Sequence, residues 1–569
     1  MSLLPSKKAT SVAFFAPSAA AKFQGIGLLL FVASWLAYDH YRPWINFHSE
    51  ALALAGIFGM VVAALLFSRR SIAVPRAALA VAAVALVPWM QWFGGVSLFV
   101  SDALLCSVYL LAAALAVWLG FLWAHQQNAG DLNRFDLAIA WAAIASAAIG
   151  LVQWLMLADS VGMYMMQPDA GDRALGNMGQ PNQLATLLLM GGVLLVGLFR
   201  RRVLGSRVTL FAAGFLTLVV VLAQSRTAAV SALALTVLLA TKSRSLRWWA
   251  LAWIIAFGAL TLVFPSAAEF LMISNGRGAG LGNTSNRLEI WSQVVYAIRE
   301  APLLGYGWNQ TPTAQMTGAL FHAGSTTYTN AHNILLDLVA WNGIPLGVLL
   351  IGTGAYWLVS RFLRVRDDDI GLTAMAALVP LVVHSLTEYP FAYSYFMLLG
   401  AVLVGVIEAR CAPLAVRSVR RLAVGSVLAV LMVVGSYTCY EYLKVEEDFR
   451  VVRFENLRIG KTPSEYQVPE IHLLTHMGAM LKAARIVPTP GMNAEDFELL
   501  HKVSQRFAFG PLSYRYALAL ALNGDPVGAA RQLLVVKNVY GRAYYAAVKD
   551  EFKRLEREQY PRLGAIQLP

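Results

Sequence analysis

The chain has 569 residues, 58% of them hydrophobic and only 14% charged, with a mean hydropathy of +0.59. Soluble domains carry roughly 25% charged residues, so this composition excludes an ordinary soluble enzyme, a disordered chain and a nucleic-acid-binding domain. The net charge of +13 does not reverse that, because Lys and Arg gather in short loops between apolar runs, where a membrane protein fixes its orientation. The apolar runs are long and continuous rather than alternating, which predicts spanning helices and not barrel strands. Cys106, Cys411 and Cys439 fall in two apolar runs and a basic loop, so no disulfide or metal cluster is expected. The first apolar run follows Lys7 and Lys8 without a small-residue cleavage site and reads as a retained span.

Spans are expected near 22–38, 51–67, 77–93, 100–124, 137–156, 183–199, 208–224, 228–241, 248–264, 332–360, 370–386, 391–409 and 422–441. With the N-terminus in the cytoplasm, the inner loops hold Arg69, Arg70 and Arg76; Arg134; Arg200, Arg201, Arg202 and Arg207; Lys242, Arg244 and Arg247; Arg361, Arg364 and Arg366; and Arg410, Arg417, Arg420 and Arg421. The short outer loops hold little beyond Arg42, Arg173 and Arg226. That asymmetry is the positive-inside pattern, and one missed span would invert every later loop. Three segments then lie outside: 157–182, 265–331 and the tail 442–569. Within the tail, YALALALNGDPVGAARQLLVVKNVYG reads as helix, turn at Asn523–Pro526, helix, like a single tetratricopeptide-type hairpin.

Ionisable residues at span edges need a reason, since a charge at a span's centre costs about 2.5–3.5 kcal/mol even on the lenient insertion scale. Arg226, in VLAQSRTAAV, either snorkels to headgroups or grips a phosphate with its guanidinium fork. Arg287, in NTSNRLEIWSQVVYAIREAPLLGYGWNQ, sits on a helix that Asn286 or Ser285 can cap, with Trp291, Tyr306 and Trp308 suited to the membrane interface. His332, in TNAHNILLDLVAWNGIPLG, is a packed or solvated imidazole, or one that takes a proton from an acceptor hydroxyl. Asp337, five residues on, is off the same-face spacing. His384 and Glu388 share one face if helical, before Pro390 ends the helix; they either bond each other or serve a site. Gln180 and Asn182 follow a turn expected at Gly176, Gly179 and Pro181, where they cap a span or hydrogen-bond a sugar or phosphate.

Other signals carry less. Asp367, Asp368 and Asp369 read as a solvated cytoplasmic turn, Asp169 and Asp172 have no third metal ligand nearby, and Gly276, Gly278, Gly280 and Gly282 follow no strand.

In order, GNMGQPNQLATLLL, QSRTA, NRLEIWSQVVYAIREAPLLGYGWNQ, AHNILLDLVAWNGIPLG and HSLTEYPFAYSYF resemble the superfamily of O-antigen ligases and O-linked oligosaccharyltransferases, over roughly residues 20–440. The segment HSLTEYPFAYSYF and the helical tail look most like the PglL type, which moves a glycan onto Ser or Thr of periplasmic proteins. Ligases, which move O-antigen onto lipid A–core, and repeat-unit polymerases are the near alternatives. The resemblance implies an inner-membrane enzyme with its active site facing the periplasm. The donor is an undecaprenyl-pyrophosphate-linked glycan, transfer is inverting, and neither cofactor nor metal is expected. By the same resemblance Arg226 and Arg287 bind the pyrophosphate, His332 is catalytic with Glu388 and His384 in support, and Gln180, Asn182 and Tyr389 position donor or acceptor.

The expected fold is all-α. It is a polytopic membrane helical bundle of about 12–13 transmembrane helices over 1–441, with a long periplasmic loop at 265–331 and a C-terminal periplasmic helical, tetratricopeptide-like domain over 442–569. A transporter of lipid-linked sugar would line a path through the midplane with its charges, often on broken helices, whereas here the charges gather at one face. A receptor or scaffold gives Arg226, Arg287 and His332 no reason to share that face. Membrane lipid, the lipid-linked glycan and an acceptor protein or lipid A–core are the expected partners; nucleic acid is not.

Overall fold

The computed structural model describes residues 16–38, 40–68, 70–125, 130–168, 173–273, 283–411 and 416–569. Its apolar runs become helices, several of which start or stop at Gly, Pro, Ser or a charged residue. They are α1 (Ala16–Leu36), α2 (Phe47–Phe67), α3 (Arg76–Val84), α4 (Val87–Phe93), α5 (Val100–His125), α6 (Gly130–Trp154), α7 (Pro181–Arg200), α8 (Ser206–Leu222), α9 (Arg226–Lys242) and α10 (Arg247–Phe270). There follow α11 (Asn283–Glu300), α12 (Thr311–Gly318), α13 (Ile334–Arg364), α14 (Gly371–Ser385), α15 (Ser394–Cys411) and α16 (Arg421–Leu457). The tail adds α17 (Thr475–Ala483), α18 (Ala494–Arg506), α19 (Gly510–Leu522) and α20 (Pro526–Glu558). Strands β1 (Ser71–Pro75) and β2 (Val416–Arg420) form one antiparallel pair.

Among the described residues, ten helices are long and apolar enough to cross a membrane, and Ser206–Leu222 and Gly371–Ser385 are shorter apolar helices. The all-helical, multi-pass architecture is therefore as expected, with ten long helices and these two shorter ones beside the 12–13 spans expected. The span expected over 228–241 is helical: α9 has 17 residues, as many as α8, and reaches about 25 Å at 1.5 Å per residue. Its buried face carries Thr227, Ser231 and Thr236, which makes it less apolar than α8, but it runs from the Arg226 turn to Ser243 and so keeps the alternation of the loops.

The chain forms two compact units: residues 1–84, 109–278 and 357–435 make the first, and 85–108, 279–356 and 436–569 the second. In the first, helices approach through glycine, as bilayer packing favours. A Cβ on Gly27 of α1 would lie 2.7 Å from the Gly56 carbonyl of α2, and one on Gly120 or Gly405 would strike a carbonyl of the opposing helix, α15 or α5.

At one end of this unit the basic loops are tied together. β1 pairs with β2, and the Arg421 N–H reaches the Arg70 carbonyl at 2.9 Å. Arg200 bonds both Asp367 and Asp369 at 2.7 Å, Ser243 donates to Asp367 at 2.8 Å, and Arg410 holds Asp368 at 2.7 Å. Arg201 pairs with buried Asp136 at 2.5 Å. The Asp367–Asp369 run keeps side-chain exposures of 30–45% but is more than the solvated turn expected from sequence. It is the centre of an ionic knot, formed because three loops carrying opposite charge converge there. Burial alone would raise the Asp368 carboxyl, but Arg410 and the Gly371 N–H together bring it below its usual range. These bonds join loops assigned to one side by the basic-residue asymmetry. The hydrogen bonds among 38–48, 157–182, 224–227 and 387–388 described below join loops assigned to the other.

In the second unit the tail folds against the last part of α16. Glu441 accepts from the N–H groups of His472, Leu473 and Leu474 at 2.5–2.9 Å. Arg485 bonds Asp448 and Glu455 at 2.7 and 2.9 Å. α19 and α20 form the hairpin read in the sequence, with Asp525 capping α20 through the Gly528 N–H at 2.7 Å and Ala517, Leu520, Ala529 and Leu533 in its core. α20 bends at Gly541, whose φ of +81° suits glycine. Arg506 grips Asp102 through two nitrogens at 2.8 and 3.1 Å, with Gln310 adding a third bond at 2.7 Å. Beside them His476 meets the Ser101 hydroxyl at 2.8 Å, and burial pushes its imidazole pKa down to about 4.

The span expected over 332–360 is not continuous. α13 breaks at Gly343 (φ +72°, ψ 172°), two residues before Pro345. The carbonyls freed there are taken by the chain itself: Ala340 accepts from the Tyr306 N–H at 2.9 Å, and Trp341 from Gly307 at 3.0 Å and from Gln91 at 2.8 Å. Non-helical backbone inside a membrane helix persists when protein satisfies it in this way. Tyr306 and Trp308 accordingly serve the break rather than act as simple interfacial anchors; the Trp308 ring lies 5.7 Å from that of Trp341.

Candidate functional site

The sequence-picked residues divide between the two units. Gln180, Asn182, Arg226, His384, Glu388 and Tyr389 belong to the first, and Arg287 and His332 to the second.

In the first unit the turn before α7 forms as expected. Gly176 and Gly179 both have positive φ (62° and 72°), and the Gly179 N–H points at the Gly176 carbonyl. Gln153, which sequence reasoning passed over, builds this turn. Its Oε1 accepts from Leu175 and Gly176 at 3.2 and 2.7 Å, and its Nε2 donates to the carbonyls of Met166 and Gly176 at 2.9 and 3.1 Å. The signal was present, since a glutamine inside an apolar run must find partners. Asn177 is buried beside it. Its side-chain amide reaches the Leu36 carbonyl at 2.7 Å, while its backbone carbonyl meets His40 Nε2 at 2.5 Å. Asp169 and Asp172 lie outside the described residues.

From this turn a hydrogen-bonded chain gathers the start of α7, the start of α9 and the end of α14. Asn182 Nδ2 donates to Glu388 Oε1 at 3.5 Å, and its Oδ1 accepts from Ser225 at 2.7 Å. Ser225 in turn caps α9 by accepting the Ala228 N–H at 3.0 Å. Thr227 meets Thr387 at 3.1 Å, and His384 Nδ1 meets Thr186 at 2.9 Å. α14 ends at Ser385, so Glu388 lies beyond it, although its N–H still bonds the His384 carbonyl at 2.9 Å. Asn182 is thus committed to both neighbours, whereas Gln180 makes no capping bond. Tyr389 stacks on Tyr393 at 5.8 Å, and burial raises its phenol above the usual range.

Arg226 is the first residue of α9, exposed, and paired with no carboxylate among the described residues. The helix's positive end and the guanidinium coincide there, and both favour an anion. Among the described residues no group of His, Cys, Asp and Glu is arranged to hold a metal ion.

In the second unit α11 already begins at Asn283, which moves the expected start at Ser285 or Asn286 earlier; the side chains of residues 283–286 and the glycines at 276–282 lie outside what is described. Arg287 stands one turn before Trp291 on this helix, and the Trp291 indole N–H bonds the Ala331 carbonyl at 2.9 Å. The Ala331 N–H is held by Asp337 Oδ1 at 2.9 Å, which also accepts from Thr311 at 2.7 Å. Ala331, the residue before His332, is therefore held at both its N–H and its carbonyl. His332 itself has a φ of +54°, which non-glycine residues adopt only under constraint. Asn333 then starts α13 by accepting the Leu335 N–H at 2.9 Å. Asp337 was set aside on spacing because its contact is with the backbone N–H of Ala331, a partner that side-chain periodicity does not reveal.

Comparison with known proteins covers both units. Three family descriptions match: protein glycosylation ligase over 174–199, O-antigen ligase over 210–351, and the C-terminal part of a virulence factor membrane-bound polymerase over 372–554. The general O-oligosaccharyltransferase of Acinetobacter baylyi is 28% identical over 543 residues, covering 91% of this chain and 92% of the relative. The ComP-specific O-oligosaccharyltransferase of the same organism is 26% identical over 381 residues, 63% of this chain and 66% of the relative. No solved structure matches. The resemblance read from the motifs is thus borne out: the chain is similar to O-antigen and protein glycosylation ligases and, over most of its length, to a general O-oligosaccharyltransferase, the PglL-type kind.

Proposed function

We propose that this multi-pass membrane protein is an inverting oligosaccharyltransferase. It moves a glycan en bloc from undecaprenyl pyrophosphate to a Ser or Thr hydroxyl of periplasmic proteins, at the periplasmic face of the inner membrane. Carrying the reading is the relationship to a general O-oligosaccharyltransferase over nine-tenths of both chains, tail included.

In the proposed reaction the acceptor oxygen attacks the anomeric carbon as the bond from that carbon to the pyrophosphate oxygen breaks. Negative charge grows on the leaving pyrophosphate. The guanidiniums of Arg226 and Arg287 are assigned to it, since a planar guanidinium fork matches phosphate oxygens and acts strongly near a low-dielectric boundary. His332 is assigned to the acceptor and takes the hydroxyl proton onto its imidazole. Trp291 and Asp337 hold the His332 backbone. In the first unit Glu388 and Asn182 fix the Arg226 turn through Ser225, and His384 anchors α7 through Thr186. Gln180 and Tyr389 are assigned to positioning.

The match to an O-antigen ligase over 210–351 favours a second reading, transfer to lipid A–core. A strain lacking both kinds of transferase, given the lipid-linked glycan, decides between them. Glycosylated Ser or Thr peptides from a periplasmic acceptor support the proposal; a lipopolysaccharide ladder without them overturns it.

A further inference from the structure

Eleven to seventeen residues beyond Ala314, the loop before His332 faces α20 across a cleft of about 280 Å³, lined by Ser325, Thr326, Thr327, Val539, Tyr540 and Tyr544. All of it lies within the second unit. Its walls are fixed. The Gly324 N–H bonds the Asn538 carbonyl and Asn538 Nδ2 bonds the Ala319 carbonyl, both at 2.8 Å, stapling the loop to α20. Gln315 holds the Thr326 carbonyl at 2.8 Å and the Tyr328 N–H at 3.2 Å. Tyr540 shares a hydrogen bond with Ser513 at 3.1 Å, and the Tyr544 ring packs so closely on Gly510 that a Cβ there would lie 2.6 Å from it. The two tyrosine rings are 5.3 Å apart on either side of the Gly541 bend.

The lining chemistry selects the ligand. No lining side chain is charged, so an anion has nothing to pair with. The carbonyl of Thr326 and the N–H groups of Gly324 and Tyr328 are already bonded, so a peptide strand finds little free edge to extend. The Ser325 hydroxyl also reaches the Glu289 carboxylate at 3.4 Å, so what remains is the Thr326 and Thr327 hydroxyls beside the rings of Tyr540 and Tyr544, a surface matched to a neutral ring with hydroxyl edges and C–H faces. The volume sits at the small end of ligand pockets.

Resting on the glycan-transfer reading, we infer that this cleft holds a sugar of the transferred glycan beyond the one that reacts. Thr327 is five residues from His332 and the chain between them spans at most about 18 Å, so a glycan whose first sugar sits at His332 reaches the cleft with a later one. The subsite lets the enzyme favour a complete oligosaccharide over a truncated one.

The test uses the full-length protein in nanodiscs and two donors, undecaprenyl pyrophosphate bearing one sugar and bearing the full oligosaccharide. Thr327→Trp fills the cleft from an exposed position, and Ser325→Ala and Tyr544→Phe remove single hydroxyls. Thr327→Trp is expected to raise KM for the long donor about tenfold, the equivalent of about 1.4 kcal/mol, with single-sugar turnover unchanged as the internal control for folding. Equal effects on both donors, no effect on either, or a changed KM for the acceptor protein alone overturn the inference. If the unmutated protein transfers neither donor, the functional reading fails instead. Calorimetric binding of the free oligosaccharide, lost in Thr327→Trp, then still tests the cleft, and no binding refutes it.

Discussion

Replacing Trp291 by Phe tests whether the backbone clamp sets the role proposed for His332. The substitution keeps an aromatic ring against Ile290 and Val294 and removes one thing, the indole N–H that bonds the Ala331 carbonyl at 2.9 Å. Holding a non-glycine residue in the left-handed region costs about 1–2 kcal/mol. A hydrogen bond contributes about 1 kcal/mol net, so the two clamp bonds roughly offset that strain. Losing one shifts the local equilibrium of the His332 peptide by about 1 kcal/mol, or about fivefold. The expected result is a fall in kcat of about five- to tenfold, with KM for the lipid-linked donor and the melting temperature little changed. Asp337→Ala is a poorer probe, because it leaves the buried Thr311 hydroxyl and Ala331 N–H without their acceptor and lowers stability outright. Steady-state transfer to an acceptor protein, alongside a thermal melt, separates the cases. A Trp291→Phe enzyme with unchanged kcat, or one whose loss sits entirely in donor KM, refutes the reasoning; so does a His332→Ala enzyme that keeps near-normal transfer.

Arg226→Ala should lower donor kcat/KM by about 10- to 100-fold, the scale of about 1.5–3 kcal/mol for bonds to a charged group, and Arg226→Lys should restore only part because it lacks the planar fork; full activity in the lysine variant would exclude bidentate recognition. The folded pKa of His476, pushed down to about 4, lies below its unfolded value near 6.5. Its contribution to stability is therefore complete above about pH 6.5 and is lost as pH falls toward 4, by up to about 3 kcal/mol. Melting temperatures between pH 7.5 and 4.5 should fall less steeply in His476→Gln, and an identical slope would refute the assignment. Asp102→Asn should destabilise the protein by about 3–5 kcal/mol, because the buried Arg506 guanidinium loses its counter-charge; pairing it with Arg506→Met should recover much of that, and a simply additive double variant would show the pair is not coupled.

The helices, their alternation and the tail hairpin were legible because burial in lipid and in a helical core imposes long apolar runs and a 3.6-residue period. The glycine turn before α7 was legible for a different reason, since Gly176 and Gly179 are the residues that positive φ selects. The break at Gly343 was not, because Gly and Pro within an apolar run read equally well as tolerated helix residues. What distinguishes them is the segment 302–307, which supplies the missing hydrogen bonds from far along the chain. The acids were misjudged in the same way. Asp367–Asp369 read as solvated until Arg200 and Arg410 converged on them, and Asp337 read as misplaced because its partner is a backbone N–H. Arg226, Arg287 and His332 could be picked out by residue type and motif, but the Trp291 and Asp337 bonds that shape the chain at His332 are tertiary and carry no local pattern.

The ionic knot and the β1–β2 pair make the first unit stiff in a graded way. Opening the end that carries Arg200, Asp367 and Arg410 means separating several charge pairs at once, so fluctuations there are rare and cooperative. The opposite end, where the Arg226 turn sits, is held chiefly by single hydrogen bonds, such as those of Asn182 with Glu388 and Ser225 and of Thr227 with Thr387, which exchange more readily than a cluster of ion pairs. A long polyprenyl chain entering or leaving between helices would find its give at that end, and amide exchange should run fast there while the knotted loops stay protected.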